Sequence, residues 1–196
     1  MNEMNPEFGR KAVKLARSAA EAETRGIRED PPVPEEFEEP SGAFVTINRY
    51  PSGDLRGCIG YPEPVFPLGE AIVQSARSAC HDPRFHPLTF EEAKECVFEV
   101  TVLTPPEQID YSTPEDLVSK IQIGRDGLIM SYRGRRGLLL PQVPVEWSWD
   151  AVQYLEQLSM KAGLSPDIWK QERVTVERFG GTIFAETSPG GEITEK

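Results

Sequence analysis

No stretch of the 196-residue chain is apolar for long enough to cross a bilayer, so a transmembrane helix is excluded. The N-terminal segment MNEMNPEFGRKAVKLARSAAEAE has no apolar signal-peptide core. Cysteine is scarce. Cys58, Cys80 and Cys96 show no C-x-x-C spacing and cannot all pair within the chain, so a reduced, cytoplasmic setting is expected. Histidine is scarcer: His81 and His86, taken with Cys80 or Cys96, match no zinc-binding pattern, and no metal or cofactor is expected. G-x-G-x-x-G, a P-loop and internal repeats are all missing. Positive charge is in deficit, with 21 Lys and Arg against 32 Asp and Glu and a net charge of −11. That excess of acid argues against general nucleic-acid binding, which needs a basic face. The one dense basic spot, RGRRG (Arg133 to Gly137), reads as a solvated hairpin tip rather than a phosphate site.

What is present describes an ordinary soluble protein: 38% apolar and 27% charged residues over a length that suits one domain, or two small lobes sharing a core. Residues 8–25 read as a helix with Val13, Ala16, Ala19 and Ala20 along one stripe, stopped at Gly26. Residues 27–41 are rich in proline and acid and read as an extended, solvated loop. GAFVTINRY and LRGCIG flank the turn chemistry of PSGD as a hairpin. A helix from Leu68 carries Leu68, Ile72, Ser75, Ala76 and Ala79 on one face and ends near HDPRFHP. Thr89 with Glu92 forms a capping box for FEEAKEC.

The β-branched run VFEVTVLTP is a strand, and Thr113, Pro114 and Asp116 open another helix. IQIGRDGLIMSYRGRRGLLLPQV reads as three short strands, followed by a helix capped by Ser148 and ended by Gly163. RVTVERF and TIFAE read as a closing hairpin around Gly180 and Gly181, and residues 188–196 as a flexible tail. Trp147, Trp149 and Trp169 are expected in the core or in lobe packing. Strands arriving in hairpins favour an α+β fold, with mostly antiparallel sheet and packed helices.

LRGCIG (Leu55 to Gly60) carries the candidate chemistry. Strand alternation puts Arg56 and Cys58 on one face, where a guanidinium would favour the thiolate. Gly57 permits close approach of another backbone, and Gly60 lets the strand turn away after the thiol. A small buried structural cysteine is the competing reading. Asp82 and Arg84 in HDPRFHP supply a cap or ion pair and an anion-binding fork. Glu99 lies mid-strand, sharing a face with Val97 and Thr101, where it could act as acid or base or sit on a solvated sheet face. Gln142 and Glu146 close an apolar strand, where polar groups line clefts or make ordinary turns.

Taken together, LRGCIG, DPRF-x-PL, VTVLTP, GRDGLI, GLLLPQV and KAGL resemble the AMME-syndrome chromosomal-region protein family, whose prokaryotic members are called AmmeMemoRadiSam system protein A. The resemblance spans residues 8–187 and suits a prokaryotic member. It implies an α+β fold of two unequal lobes, with the hexapeptide lining a groove at their junction. The positions carried over are Arg56, Gly57, Cys58 and Gly60, then Asp82, Pro83, Arg84 and Phe85, then Pro141 and Gln142. The family pattern does not ask for histidine at His81 or His86. Members are treated as enzymes because matching polar residues gather near the groove. That implies an enzyme with Cys58, Arg56 and Glu99 catalytic, and Gly57, Gly60, Asp82, Arg84 and Gln142 binding a small anionic molecule or peptide. The alternative is a non-catalytic adaptor that holds a protein partner in the same groove. The system name implies Memo-like and radical-SAM partners; the chain has no C-x-x-x-C-x-x-C cluster of its own.

Overall fold

A computed structural model describes residues 5–196. In chain order, α1 (Pro6–Thr24), β1 (Ala43–Arg49), β2 (Leu55–Tyr61), α2 (Leu68–Ala79), α3 (Phe90–Glu95) and β3 (Cys96–Leu103) come first. Then follow β4 (Glu107–Gln108), α4 (Pro114–Ser119), β5 (Gly127–Tyr132), β6 (Arg135–Leu139), α5 (Gln142–Glu146), α6 (Ala151–Lys161) and α7 (Ile168–Gln171). β7 (Thr175–Phe179), β8 (Gly181–Glu186) and β9 (Ile193–Glu195) end the chain. The fold is α+β, in two units: one runs to Thr104 and resumes at Gly181–Lys196, and the other is Pro105–Gly180.

The first unit is a five-stranded antiparallel sheet in the order β2-β1-β3-β8-β9. One face is apolar because β1 and β3 alternate. Ala43, Val45 and Ile47 on β1, with Phe98 and Val100 on β3, are fully buried under α1 and α2. Asn5 caps α1 by accepting the Phe8 N–H at 2.9 Å, and Pro6 sits at the first helical position, where its missing N–H costs nothing. The stripes expected on α1 and α2 are the buried ones. The Thr89–Glu92 capping box starts α3. Phe37 interrupts the exposed acidic loop: it is fully buried, 4.9 Å from the Phe8 ring, and pins a 3-10 turn over Glu35–Phe37. An aromatic side chain in a polar loop has somewhere to go when a helix offers an apolar face beside it.

The second unit is a four-stranded sheet in the order β4-β7-β5-β6, with α6 packed on β5 and β6. Its core holds Leu117, Leu128, Met130, Tyr154, Leu155, Leu158 and Trp169.

Five expectations change. Residues 121–126 are a turn instead of a third strand, held by the buried Asp126, which accepts the Gln122 N–H at 2.8 Å. Asp150 caps α6 where Ser148 was expected, accepting the Gln153 N–H at 2.8 Å in a capping box. β7 and β8 are not a hairpin: β7 pairs with β4 and β5, while β8 pairs with β3 and β9, so the chain leaves one sheet and enters another at Gly180–Gly181. Where a tail was expected, Ile193–Glu195 forms edge strand β9, with Ile193 buried. Of the three tryptophans only Trp169 is buried. Trp147 is exposed, its ring 6.1 Å from that of half-buried Trp149.

Candidate functional site

LRGCIG is almost all of β2, the edge strand of the first sheet. Its register against β1 slips by one: Ile47 faces Gly57, but Asn48 faces Leu55. Arg56 is the extra residue of a β-bulge, and a bulge breaks the two-residue alternation of side chains. Arg56 and Cys58 therefore do not share a face, which corrects the expectation from simple alternation. Arg56 turns to the helical side and is 3% exposed. Its Nε and Nη2 donate to the two Glu92 carboxylate oxygens at 3.3 and 3.2 Å, and Nη2 also donates to the His86 carbonyl at 2.8 Å. The Arg56 hydrogen bonds, followed by the Thr89 N–H, hold the Glu92 carboxyl below the usual carboxylate range. Arg56 is thus committed to Glu92 on α3.

Cys58 lies on the other side, away from α1 and α2, and is half-buried. The Thr46 hydroxyl donates to its Sγ at 3.3 Å. Thr46 is the cross-strand partner of Cys58 on one side and of Glu99 on the other, so the three form one row across β2, β1 and β3. At the usual strand spacing the two ends of the row are roughly 10 Å apart at Cα. Glu99 therefore addresses the thiol only through what lies between. Its carboxylate pairs with Lys196 Nζ at 2.5 Å. Thr46 was not among the sequence candidates. Its sole sequence signal is its place two residues before Asn48 on the less apolar face of β1.

Asp82 and Arg84 are bound to each other and to the Cys58 backbone. Asp82 is buried and accepts the Cys58 N–H at 2.9 Å, the Arg84 N–H at 3.0 Å, and Arg84 Nε and Nη2 at 3.0 and 2.6 Å. Arg84 Nη2 also donates to the Cys58 carbonyl at 3.4 Å. The ion pair takes the outward N–H and C=O of Cys58 and so closes the edge of β2 as a further strand would. The Arg84 hydrogen bonds first, then the Cys58 and Arg84 N–H groups, hold the Asp82 carboxyl far below its ordinary value against the opposing effect of burial. A carboxyl depressed on folding stabilises the fold above its unfolded value of about 3.9, and that contribution disappears as pH falls through the folded value. Asp82→Asn is therefore expected to destabilise the protein at pH 7 and by progressively less as pH falls below about 3.9. Urea midpoints at pH 7 and pH 2 measure this; an equal gap at both would contradict it.

Gly57 is a close-approach point: a Cβ there would lie 2.3 Å from the Ala79 carbonyl oxygen at the end of α2. At Gly60 a Cβ would lie 2.4 Å from both the Ala43 carbonyl oxygen and the Phe44 ring. Both glycines serve packing around the thiol. Gln142 belongs to the second unit, exposed in the first turn of α5, and Glu146 ends that helix. His81 pairs with Glu23 at 2.8 Å. Cys80 and Cys96 are buried, and burial pushes the Cys80 thiol up to about 12. Among the described residues no group of His, Cys, Asp and Glu has the arrangement to hold a metal ion. No described helix is long and apolar enough to cross a membrane.

Comparison with known proteins gives a consistent picture. The AMMECR1 family model matches residues 13–184. Protein MJ0810 of Methanocaldococcus jannaschii is 50% identical over 97% of this chain and 96% of its own length. A protein of Thermofilum pendens is 46% identical over the whole chain and 98% of its own. The crystal structure of protein PH0010 from Pyrococcus horikoshii superposes with a TM-score of 0.78 at 45% identity, covering 98% of each chain.

Proposed function

The chain belongs to the AMMECR1 family, and from that premise we propose that it is a thiol-dependent enzyme whose nucleophile is Cys58. The observation that carries the reading is the 3.3 Å contact from the Thr46 hydroxyl to a half-exposed sulfur, when the two other cysteines are buried. A thiolate is the reactive form, and a hydroxyl donor aimed at sulfur stabilises it. In this reading Cys58 attacks an electrophilic carbon of the substrate, forming a C–S bond. The leaving group departs with its bonding electrons and takes up a proton. Glu99, at the far end of the same row, takes the thiol proton through Thr46 or water and passes it to the leaving group; water then displaces the sulfur, which releases the product and restores the thiol. Arg56 has no part in activating sulfur here, since its charge is spent on Glu92. Gly57, Gly60, Asp82 and Arg84 hold β2 in the shape that presents the thiol.

Alkylation tests the premise. Iodoacetamide is expected to add once to the native protein, at Cys58, with Cys80 and Cys96 reacting only in denaturant, as read by intact mass and peptide mapping. Thr46→Val should slow the native reaction several-fold. A Cys58 that reacts no faster than Cys80 would overturn the proposal. Cys58→Ser separates enzyme from adaptor: it abolishes turnover in the first case and leaves partner binding intact in the second.

A further inference from the structure

On the helical side of β2, apart from Cys58, lies a pocket of about 540 Å³ whose charged wall is Arg49, Arg56, Arg84 and Glu92, with Phe85 between. We infer that this pocket is a binding site for a phosphate monoester carrying a planar or apolar group. In a chain of net charge −11, three guanidiniums set against two carboxylates, Glu92 in the wall and Asp82 behind Arg84, leave a local positive excess carried by Arg49. That concentrates an anion where the rest of the surface repels it.

The three arginines are set for a particular shape of anion. Arg56 is locked by Glu92 and the His86 carbonyl through Nε and Nη2, and Arg84 by Asp82 and the Cys58 carbonyl through the same two nitrogens. In both, Nη1 makes no hydrogen bond among the described residues. Arg49, exposed at the end of β1, has no ion-pair partner among them at all. The fork that would grip a planar carboxylate is thus already used on Arg56 and Arg84. What remains are the Nη1 groups of two fixed side chains, plus the exposed guanidinium of Arg49. Donors on three separate side chains match the three terminal oxygens of a phosphate monoester better than the two of a carboxylate.

Phe85 supplies the other half of the recognition. Its half-buried ring lies 5.8 Å from the Arg56 guanidinium carbon and 5.7 Å from that of Arg84. An apolar or aromatic group attached to the phosphate would rest on that ring, and the volume is in the usual range for small-molecule sites.

Titration calorimetry on the full chain with phenyl phosphate, inorganic phosphate and benzoate tests the inference. Phenyl phosphate should bind with one-to-one stoichiometry and weaken with added salt, inorganic phosphate about tenfold more weakly for want of the ring contact, and benzoate more weakly again. Arg49→Gln, at an exposed position, should weaken phenyl phosphate at least about tenfold. Phe85→Ala should bring phenyl phosphate to the level of inorganic phosphate and leave the latter unchanged. Protein alkylated at Cys58 should bind as the unmodified chain does, which separates this site from the thiol reading. No saturable binding of either phosphate, an Arg49→Gln protein that binds like wild type, or benzoate matching phenyl phosphate would overturn the inference.

Discussion

Glu186→Ala is expected to lower the unfolding free energy by about 3–5 kcal/mol, because it leaves one member of a buried ion pair without its counter-charge. Glu186 is 6% exposed and grips Arg17 through both oxygens, to Nε and Nη2 at 2.6 Å each. It also accepts the Phe98 N–H at 2.9 Å, so the substitution orphans a backbone donor in the core as well as removing the main counter-charge of a guanidinium. Arg17 keeps its contacts to the Ala93 and Cys96 carbonyls and to Glu21, which places the loss toward the lower end of that range. Glu186→Gln, whose amide oxygen can still accept from Phe98 N–H and Arg17 Nη2 though not from Arg17 Nε, should cost less. Urea unfolding followed by far-UV circular dichroism measures the difference. Tryptophan fluorescence is the wrong monitor, since Trp147, Trp149 and Trp169 all belong to the second unit. A change below about 1 kcal/mol would be that of an exposed pair and would contradict the buried-pair account.

Gly57→Ala should be nearly as damaging. The added methyl would sit 2.3 Å from the Ala79 carbonyl oxygen and 3.6 Å from the Asp82 side chain, and the nearest obstacle is backbone, which no rotamer change relieves. Either β2 or the end of α2 must shift, with an expected loss of about 3 kcal/mol, the upper end for overpacking. The same shift would pull Asp82 from the Cys58 N–H. Hydrogen exchange at the Cys58 amide, protected by Asp82 in the wild type, should therefore accelerate together with the fall in stability. A Gly57→Ala protein with wild-type stability and exchange would mean that the close approach is not a constraint.

Local signals made much of the fold legible in the sequence. The small apolar stripe of α1, the β-branched run of β3 and the Thr89–Glu92 capping box each depend on residues a turn or less apart, and each is found where expected. What depends on distant partners was not. TIFAE follows RVTVERF across two glycines and looks like a hairpin, yet its mates are β3, eighty-odd positions earlier, and β9. Phe37 in an acidic loop gave no periodic signal because its partner is Phe8.

The candidate site divides in the same way. Gly57 as a close-approach point could be argued from the absence of a side chain alone. The pairing of Arg56 with Glu92 could not, because a bulge is a property of the register between β1 and β2, and one slipped residue moved the guanidinium to the opposite face from the thiol. The use of Asp82 and Arg84 as a seal on the Cys58 backbone also needs the strand edge and the loop together. Thr46 was passed over because a threonine in a strand is ordinary; only its register with Cys58 and Glu99 distinguishes it.

The sheet of the first unit is interrupted at one point: Leu103 and Gly181 face each other at the ends of β3 and β8, and all of Pro105–Gly180 intervenes. During synthesis the ribosome therefore delivers the whole inserted unit before the strand that completes the first sheet. A chain emerging at about 5–20 residues per second exposes β3 as an open edge for several seconds while that insert is made. Throughout that interval Arg17 waits without Glu186, which arrives in the last strand but one. The buried ion pair is the bolt thrown after the insert has been translated, joining the first helix of the nascent chain to one of its final strands.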